Sequence, residues 1–173
     1  IKESLDSEGR TRAIIYDPAD HVSRVVEKDG GIWTYRYDPA LGVLQEKTDP
    51  LGGKTRYAYD SNRNLILETD PNGNPTRYTY DGYNDVTSVT DPLGNVTAFT
   101  YNDLHKVTSI TDAQGNETRF TYDDRGNLTS ATDALGAVTR FAYDPRGNLV
   151  EMTNALGRKT TLTYDSRSYL TSI

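Results

Sequence analysis

The chain has 173 residues, of which 35% are hydrophobic, and its mean hydropathy is −0.71, so it can form an ordered sheet but has few side chains with which to fill a solid core. A net charge of −6 opposes non-specific binding to nucleic acid, which needs clustered Lys and Arg. Cysteine is absent, which excludes a disulfide framework and a thiolate metal site, and no apolar run reaches the roughly 18 residues of a membrane-spanning helix.

Tyrosines recur along the chain at a fixed interval. Each step is 21 residues, except for the step of 22 residues from Tyr37 to Tyr59, and seven of the eight tyrosines are followed by Asp. A fixed period of this length makes the repeat, rather than the whole chain, the structural unit. The sequence therefore predicts a single array of about eight repeats over residues 1–173, marked by the repeat tyrosines Tyr16, Tyr37, Tyr59, Tyr80, Tyr101, Tyr122, Tyr143 and Tyr164.

Two turns are predicted in every repeat. The first turn follows the repeat tyrosine, as at residues 60–64, where an Asp can bond backbone amides two residues on and a Gly or Asn near the end tolerates positive φ. The second turn has the pattern Asp-Pro-Leu-Gly or a close variant, and it already occurs at residues 6–9. One extra residue within 37–44 lengthens a first turn. The glycines that close the later second turns are Gly52, Gly73, Gly94, Gly115, Gly136 and Gly157.

Between the turns, residues alternate with period two, which is typical of strands. The repeat tyrosine shares one strand face with an aromatic or aliphatic residue two positions earlier and usually with a Thr four positions earlier, whereas the Arg between them should face the other way. These arginines are Arg56, Arg77, Arg119 and Arg140. No helical spacing occurs, so the pattern predicts an all-β fold, a repetitive antiparallel meander of hairpins in a sheet wide enough to twist and curl.

A pairing register follows if each tyrosine lies opposite the aliphatic residue six positions later, as in Tyr59 with Leu65, Tyr122 with Leu128 and Tyr143 with Leu149. Tyr57 would then face Leu67, and Thr55 would face Thr69. Across the second turn, Leu65 would meet Tyr80, Leu67 would meet Tyr78, and Thr69 would meet Thr76. Cross-strand pairs of these kinds stabilise sheets, so the repeat residues are predicted to be structural.

The stretch from Tyr122 to Asp144, Tyr-Asp-x-x-Gly-Asn-Leu-Thr-Ser-x-Thr-Asp-x-Leu-Gly-x-x-Thr-Arg-Phe-x-Tyr-Asp, closely resembles the RHS/YD repeat, and the resemblance runs from Ile1 to Ile173. That family includes bacterial Rhs proteins, the C component of insecticidal toxin complexes, and teneurins. The resemblance implies a spiral sheet that forms a segment of a hollow β-shell. In bacterial toxins of the family the shell encloses a C-terminal toxin domain. The implied partners are the rest of the array and that domain, in a secreted or cell-surface protein.

One departure from the family concerns catalysis. Toxin shells of the family end in a segment containing Asp-Pro-x-Gly-Leu, at which the polypeptide cleaves itself. The nearest matches here begin at Asp49 and Asp91 and recur in phase as ordinary turns, so no cleavage role is carried over.

No motif predicts an enzyme, a metal site or a cofactor site. His21 and His105 lie 84 residues apart in first turns without a shared motif. Most aspartates are explained by their positions in turns, and no nucleophile elbow, phosphate-binding glycine motif or zinc spacing occurs. The leading interpretation is a structural, non-catalytic shell segment, and an enzyme ranks last.

The aromatic row allows a second function, a repeat module that binds a carbohydrate or a protein. Rows that stabilise a sheet explain the aromatics more simply, because they recur in every repeat. Trp33, the only tryptophan, replaces the recurring Thr and is interpreted as a patch beside the irregular repeat rather than as a ligand site.

The chain ends predict a piece of a longer array. Ile1 occupies the aliphatic position of a repeat, and Ile173 stops inside a strand. Since unpaired strand edges recruit further strands, self-association of the chain, edge to edge or face to face, is predicted.

Overall fold

The computed structural model describes residues 2–5, 11–27 and 29–173, and in this part of the chain all regular secondary structure is strand. The expected position of Ile1 and the turn at residues 6–9 lie outside the described residues. The strands are β1 (Lys2–Leu5), β2 (Thr11–Asp17), β3 (Val22–Val26), β4 (Ile32–Tyr37), β5 (Leu44–Thr48), β6 (Lys54–Tyr59), β7 (Leu65–Thr69), β8 (Pro75–Tyr80), β9 (Val86–Thr90), β10 (Val96–Tyr101), β11 (Val107–Thr111), β12 (Glu117–Tyr122), β13 (Leu128–Thr132), β14 (Val138–Tyr143), β15 (Leu149–Thr153), β16 (Lys159–Thr161), β17 (Thr163–Tyr164) and β18 (Leu170–Ser172).

The strands form an antiparallel meander in which hydrogen-bonded neighbours are consecutive in the sequence. β1 to β16 lie in chain order in one sheet that is not closed, and β17 pairs with β18 in a two-stranded sheet. The predicted all-β meander of hairpins is confirmed. The chain divides into two compact units, the first made of Ile1–Asn84 with Val89–Gly94 and the second of Asp85–Ser88 with Asn95–Ile173. Within the described residues, no helix has the length and apolar character needed to cross a membrane.

Both turns of a repeat close a three-residue loop in the same way. In the first turn after β6, Arg63 N donates to Asp60 O (3.1 Å) and Asp60 N donates to Asn64 O (3.0 Å). In the second turn after β7, Gly73 N donates to Asp70 O (3.0 Å) in the same manner. This is a type I turn followed by a left-handed residue, a common three-residue hairpin loop.

The turn between β4 and β5 is longer by one residue, as predicted. Asp38 N donates to Val43 O (2.8 Å), and Gly42 N donates to Asp38 O (2.9 Å). The extra residue is therefore absorbed in the loop and does not enter either strand.

The register prediction is right for the first pair of the hairpins for which it was named, but not for the hairpin of β2 and β3, where Tyr16 lies opposite Ser23 rather than Val22. Tyr59 lies opposite Leu65, and the same pairing joins Tyr122 to Leu128 and Tyr143 to Leu149. The register then shifts by one residue between Ala58 and Tyr59, because Ala58 lies opposite Leu67 and the intervening residue of β7 is extra. An extra residue of this kind is a β-bulge.

The predicted pairs beyond the bulge and those beside the second turn are wrong, because the bulge and the short second turn each shift the register by one residue. Tyr57 lies opposite Glu68 rather than Leu67, and Thr69 lies opposite Arg56 rather than Thr55. Across the second turn, Leu67 lies opposite Arg77 rather than Tyr78. The same strand pair sets Glu68 opposite Thr76, whereas Thr69 was expected there. The left-handed glycine closes the loop one residue earlier than the prediction required, so every pair in that ladder moves by one.

The strands present two chemically different faces. In β6, Thr55, Tyr57 and Tyr59 are half-buried, and the alternating residues Lys54, Arg56 and Ala58 are exposed. We call the side that carries the repeat tyrosines the tyrosine face and the opposite side the arginine face. Because of the shifted register, Glu68 lies on the tyrosine face, and Leu67 lies on the arginine face with Arg77.

The sheet has almost no solid core. Among the described residues, only the apolar side chains of Val22 and Val25 are buried. Both belong to β3, whose hairpin with β2 has an unbroken register that sets Tyr16 opposite Ser23. Elsewhere the apolar side chains are half-buried or exposed, in agreement with the low hydrophobic content of the sequence.

Candidate functional site

The repeat tyrosines occupy one equivalent position, at the first-turn end of a strand. Tyr16 is the penultimate residue of β2, and the others are the last residues of β4, β6, β8, β10, β12, β14 and β17. Tyr16 is 55% exposed, whereas the later repeat tyrosines are half-buried. The structure therefore places Tyr37, Tyr59, Tyr80, Tyr101, Tyr122, Tyr143 and Tyr164 at the same end of their strands, each half-buried.

In three repeats the hydroxyl of the tyrosine bonds the backbone of the preceding strand. Tyr80 Oη donates to Leu65 O at 2.8 Å, and the same distance separates Tyr101 Oη from Val86 O and Tyr122 Oη from Val107 O. Leu65 and Val107 are the residues at which the register shifts. A bulge interrupts the ladder and leaves a backbone group that needs another partner. The phenol supplies that partner, and we call this contact the hydroxyl latch.

The latch explains a difference between two aromatic positions of the repeat. The position two residues before the repeat tyrosine accepts Tyr57 and Tyr78 as well as Phe99, Phe120 and Phe141. The repeat position is always Tyr, and at Tyr80, Tyr101 and Tyr122 a phenylalanine would have no hydroxyl to donate to the latch. The sequence signal for this difference is the strict choice of Tyr over Phe at the repeat position, which a sheet-stabilising row alone does not require.

Burial moves the pKa of several phenols further above neutral pH, where a phenol is already protonated. It raises the pKa of Tyr57, Tyr59 and Tyr78, and the Glu68 carboxylate on the same face raises the pKa of all three further. Burial also raises the pKa of Tyr80 and Tyr143. The phenol of Tyr80 is therefore a neutral hydrogen-bond donor in its latch.

The carboxylates of the turns are occupied by local hydrogen bonds. Asp70 Oδ1 accepts from the backbone amides of Asn72 and Asn74, both at 2.8 Å, and its Oδ2 accepts from the Asn74 side chain at 2.8 Å. These bonds lower the pKa of Asp70, and equivalent bonds lower the pKa of Asp60, Asp112, Asp123 and Asp144. In the described part of the chain, no three His, Asp or Glu side chains are grouped so that they could hold a metal ion.

The second-turn glycines have left-handed backbones. Gly73 has φ 88°, and no atom lies within 4 Å of the place a Cβ would occupy. The requirement for glycine is therefore conformational, since a side chain would fit but would strain the backbone. Gly52, Gly94, Gly115, Gly136 and Gly157 share this conformation, with φ between 75° and 88°.

The left-handed position of the first turn is held by the expected Asn or Gly at Asn84, Gly126 and Gly147 but not in other repeats. Arg63 (φ 69°), His105 (φ 56°) and Ser168 (φ 63°) occupy it there. His21 (φ 52°) also has a left-handed backbone in its turn. His21 and His105 thus lie in separate turns. His105 Nδ1 is 2.6 Å from Asp85 Oδ2.

Neighbouring first turns are bonded to each other. Arg125 Nη1 donates to Pro145 O at 2.6 Å, and Arg146 Nη1 donates to Ser166 O at 2.7 Å. Asn64 Nδ2 donates to Asn84 Oδ1 at 2.7 Å in the first unit. These contacts, the turn ladder, join residues about one repeat apart and were not predicted from the sequence.

Six overlapping segments of the chain match the RHS Repeat family, at residues 40–75, 64–96, 80–117, 101–138, 122–159 and 143–173. Together they cover most of the chain. The chain belongs to the RHS repeat family. No curated protein matches the sequence.

The fold of this RHS repeat segment is similar to that of solved toxin complexes. The TcdB2-TccC3 complex without its hypervariable C-terminal region matches over 96% of this chain with a TM-score of 0.68 and 16% identity. The TcdB2-TccC3-Cdc42 structure matches over 97% with a TM-score of 0.64 and 18% identity. The matched regions are 12% and 11% of those chains, so this RHS repeat segment spans about an eighth of the structures that it resembles.

The one tryptophan of the RHS repeat segment packs within the sheet. Trp33 lies opposite Val25, which is 8% exposed. The Lys47 ammonium lies 4.4 Å from the centre of the indole ring, within the range of a cation–π contact. Both contacts agree with the interpretation of Trp33 as a structural patch.

Proposed function

We propose that this chain is a non-catalytic part of an RHS β-shell, and that in the complete secreted bacterial protein the shell encloses a C-terminal toxin domain. The observation that carries the proposal is the thinness of the sheet, in which Val22 and Val25 are the buried apolar side chains among the described residues. A single layer built from equivalent hairpins can be extended without limit by adding repeats. Such a layer is suited to form the wall of a container.

The similarity to the toxin complexes supports the same proposal. The matched region is 12% of the TcdB2-TccC3 chain that lacks its hypervariable C-terminal region. In the proposal, residues 1–173 are one continuous array of about eight repeats within a longer array that completes the shell. The 21-residue spacing that continues through Tyr164 supports the single array.

The chemistry of the turns supports a non-catalytic role. Turn carboxylates such as Asp70 and Asp123 accept several hydrogen bonds from their own loops. Their lowered pKa values make them weak bases, whereas a general base works best with a pKa near the operating pH. The structural role of the repeat tyrosines and of the second-turn glycines is part of the proposal.

Limited proteolysis of the complete protein tests the encapsulation. We expect the C-terminal domain to resist protease in the intact protein and to be digested when several repeats of the array are deleted. The separately expressed C-terminal domain is the control for its intrinsic protease sensitivity. Equal digestion of that domain with and without an intact array would contradict the proposal.

Glycan-array binding separates the wall from the alternative, a binding module. We expect no specific glycan signal from the chain, because latch hydroxyls such as those of Tyr80 and Tyr122 are bonded to backbone carbonyls. Specific binding that is lost in Tyr122→Ala while the fold is retained would support the binding module instead.

A further inference from the structure

Two arginines flank one strand on the arginine face of the second unit. Arg119 on β12 lies opposite Thr132 of β13, and Arg140 on β14 lies opposite Ser130 of the same strand. Both arginines are exposed. Since β12 and β14 are separated by one strand, their backbones are roughly 10 Å apart. Two guanidinium groups can therefore reach the same partner from either side of β13.

The two arginines differ in how their charge is compensated. Arg119 Nη2 is 2.7 Å from Glu117 Oε2, and the two side chains are 69% and 35% exposed. Arg140 lies opposite Ser130, whereas Arg56, the corresponding arginine of an earlier repeat, lies opposite Glu46. Within the described residues, no ion pair or hydrogen bond engages the Arg140 guanidinium. Its five N–H donors are available to a partner.

The strand between the arginines supplies hydroxyl groups. Ser130 Oγ is 2.7 Å from Thr121 Oγ1, which is also 2.8 Å from Thr129 Oγ1. Hydroxyls can both donate and accept, so they can bond the polar groups of a partner beside the guanidinium. We call Arg119, Thr121, Ser130, Thr132 and Arg140 the β13 patch.

We propose that the β13 patch binds carboxylate side chains of a polypeptide partner. A guanidinium presents two parallel N–H donors that match the two oxygens of a carboxylate. A polyanion such as nucleic acid or a sulfated glycan is a poorer match, because Glu117 and Glu151 share this face and the chain carries a net charge of −6. A protein surface has separated charges and can place an Asp or Glu at Arg140 without approaching those glutamates. This inference concerns the chemistry of one sheet face and does not depend on what the shell encloses.

The test is an NMR titration of arginine side-chain Nε–H signals with two short peptides, one with two glutamates separated by Gly and Ser and one with glutamines in their place. We expect the Arg140 and Arg119 signals to shift with the glutamate peptide and not with the glutamine peptide. Arg140→Gln should weaken the binding by about 3- to 10-fold, in the range of an exposed charge-assisted contact. The control Arg158→Gln removes one charge at a second turn and should change the affinity by less than about 2-fold, because salt screens distant charges.

Three outcomes would overturn the proposal. Equal weakening by Arg140→Gln and Arg158→Gln would show a general charge effect rather than a patch. Acetate that causes the same shifts at the same carboxylate concentration would show an adventitious ion only. A sulfated polysaccharide that shifts the same signals at lower concentration than the peptide would assign the patch to a glycan.

Discussion

At the scale of single residues, one bonded oxygen atom distinguishes the latch tyrosines from the phenylalanines at the neighbouring aromatic position. The ring supplies packing on the tyrosine face, which Phe would supply equally well, as Phe99, Phe120 and Phe141 show at the neighbouring position. The hydroxyl of Tyr122 adds a bond to Val107 O on the preceding strand. The bond ties two hairpins together at the bulge, where the backbone ladder is interrupted.

Removing one hydroxyl tests the latch. Tyr122→Phe should lower the free energy of unfolding by about 0.5–1.5 kcal/mol, the usual net value of one hydrogen bond. Urea denaturation measures the change. The matched control is Tyr78→Phe, which places phenylalanine where other repeats already have it, and it should be nearly neutral. Equal losses in the two variants would show that the hydroxyl of Tyr122 has no special role.

The left-handed residues of the first turns offer a stabilising change. Arg63 has φ 69°, a conformation that costs a residue with a Cβ more than it costs glycine. Arg63→Gly should therefore raise the free energy of unfolding by about 0.5–1 kcal/mol, since relief of strain exceeds the added flexibility of the unfolded chain.

The reciprocal change serves as the control for that prediction. Gly126 occupies the same turn position with φ 81°, so Gly126→Ala should lower the stability by about 1 kcal/mol. Thermal unfolding of both variants gives the comparison. A loss of stability in Arg63→Gly would mean that the Arg63 side chain stabilises the fold by more than the left-handed backbone of this residue destabilises it.

At the scale of the hairpin, the turns are fixed by residue chemistry, and the register is fixed by the bulge. The Asp and Gly positions predicted both turns, and the spacing from Tyr59 to Leu65 predicted the first cross-strand pair. The bulge could not be found in the same way, because an extra residue in β7 leaves that first pair intact and changes only the pairs beyond it. The one residue that bears on the bulge is Glu68, a charged side chain that the bulge places on the tyrosine face, opposite Tyr57.

The latch and the turn ladder likewise cannot be predicted from the sequence. A ladder contact such as Arg125 to Pro145 O joins side chains to backbone atoms of the next turn. Its formation depends on how closely neighbouring turns approach each other. The repeat period says only that the turns are equivalent. The candidate residues themselves, the repeat tyrosines and second-turn glycines, were all identified from spacing, and their structural role stays a prediction.

Acid should weaken the hairpins through their turns. The pKa of Asp70 is lowered in the folded chain by its bonds to Asn74, whereas in the unfolded chain it returns to about 4. A depressed folded-state pKa contributes stability that is present above the unfolded value and is lost as the pH falls through the folded value. The urea concentration at the midpoint of unfolding should therefore decrease as the pH is lowered below about 4.

An asparagine substitution separates titration from turn geometry. Asn154 already makes the same backbone bonds in its own turn, accepting from Leu156 N at 3.0 Å and from Arg158 N at 2.9 Å. Asp70→Asn should keep the stability at neutral pH and reduce the acid dependence. An unchanged acid dependence in Asp70→Asn, with Asp112→Asn as a second example, would contradict the assignment.

At the scale of the whole molecule, contacts stay close in sequence. Every strand has as its sheet neighbours only the strands before and after it in the described chain. The stability of such arrays is approximately a sum of repeat terms and nearest-neighbour terms. Damage in one hairpin should therefore spread little, and self-association through strand edges such as that of β18 stays a prediction that sedimentation can test.

The locality of damage can be measured by hydrogen exchange. Tyr122→Ala removes a ring as well as its latch and should cost about 1–3 kcal/mol, because the ring is half-buried rather than enclosed in a core. Faster exchange should be confined to roughly one repeat on either side, residues 101–143. Faster exchange throughout the second unit would show cooperative unfolding of the unit instead.

The long loop between β4 and β5 has a consequence for how such arrays change in evolution. There one added residue is held by Asp38 and Gly42 outside the ladder, and Tyr37 still lies opposite Leu44 as in the other hairpins. The same addition in the regular part of a strand would exchange its two faces. Tyrosines beyond it would then lie on the arginine face and arginines on the tyrosine face. Insertions and deletions should therefore be tolerated at loops and eliminated within strands, so that descendants of one ancestral hairpin diverge in loop length and keep a common strand length.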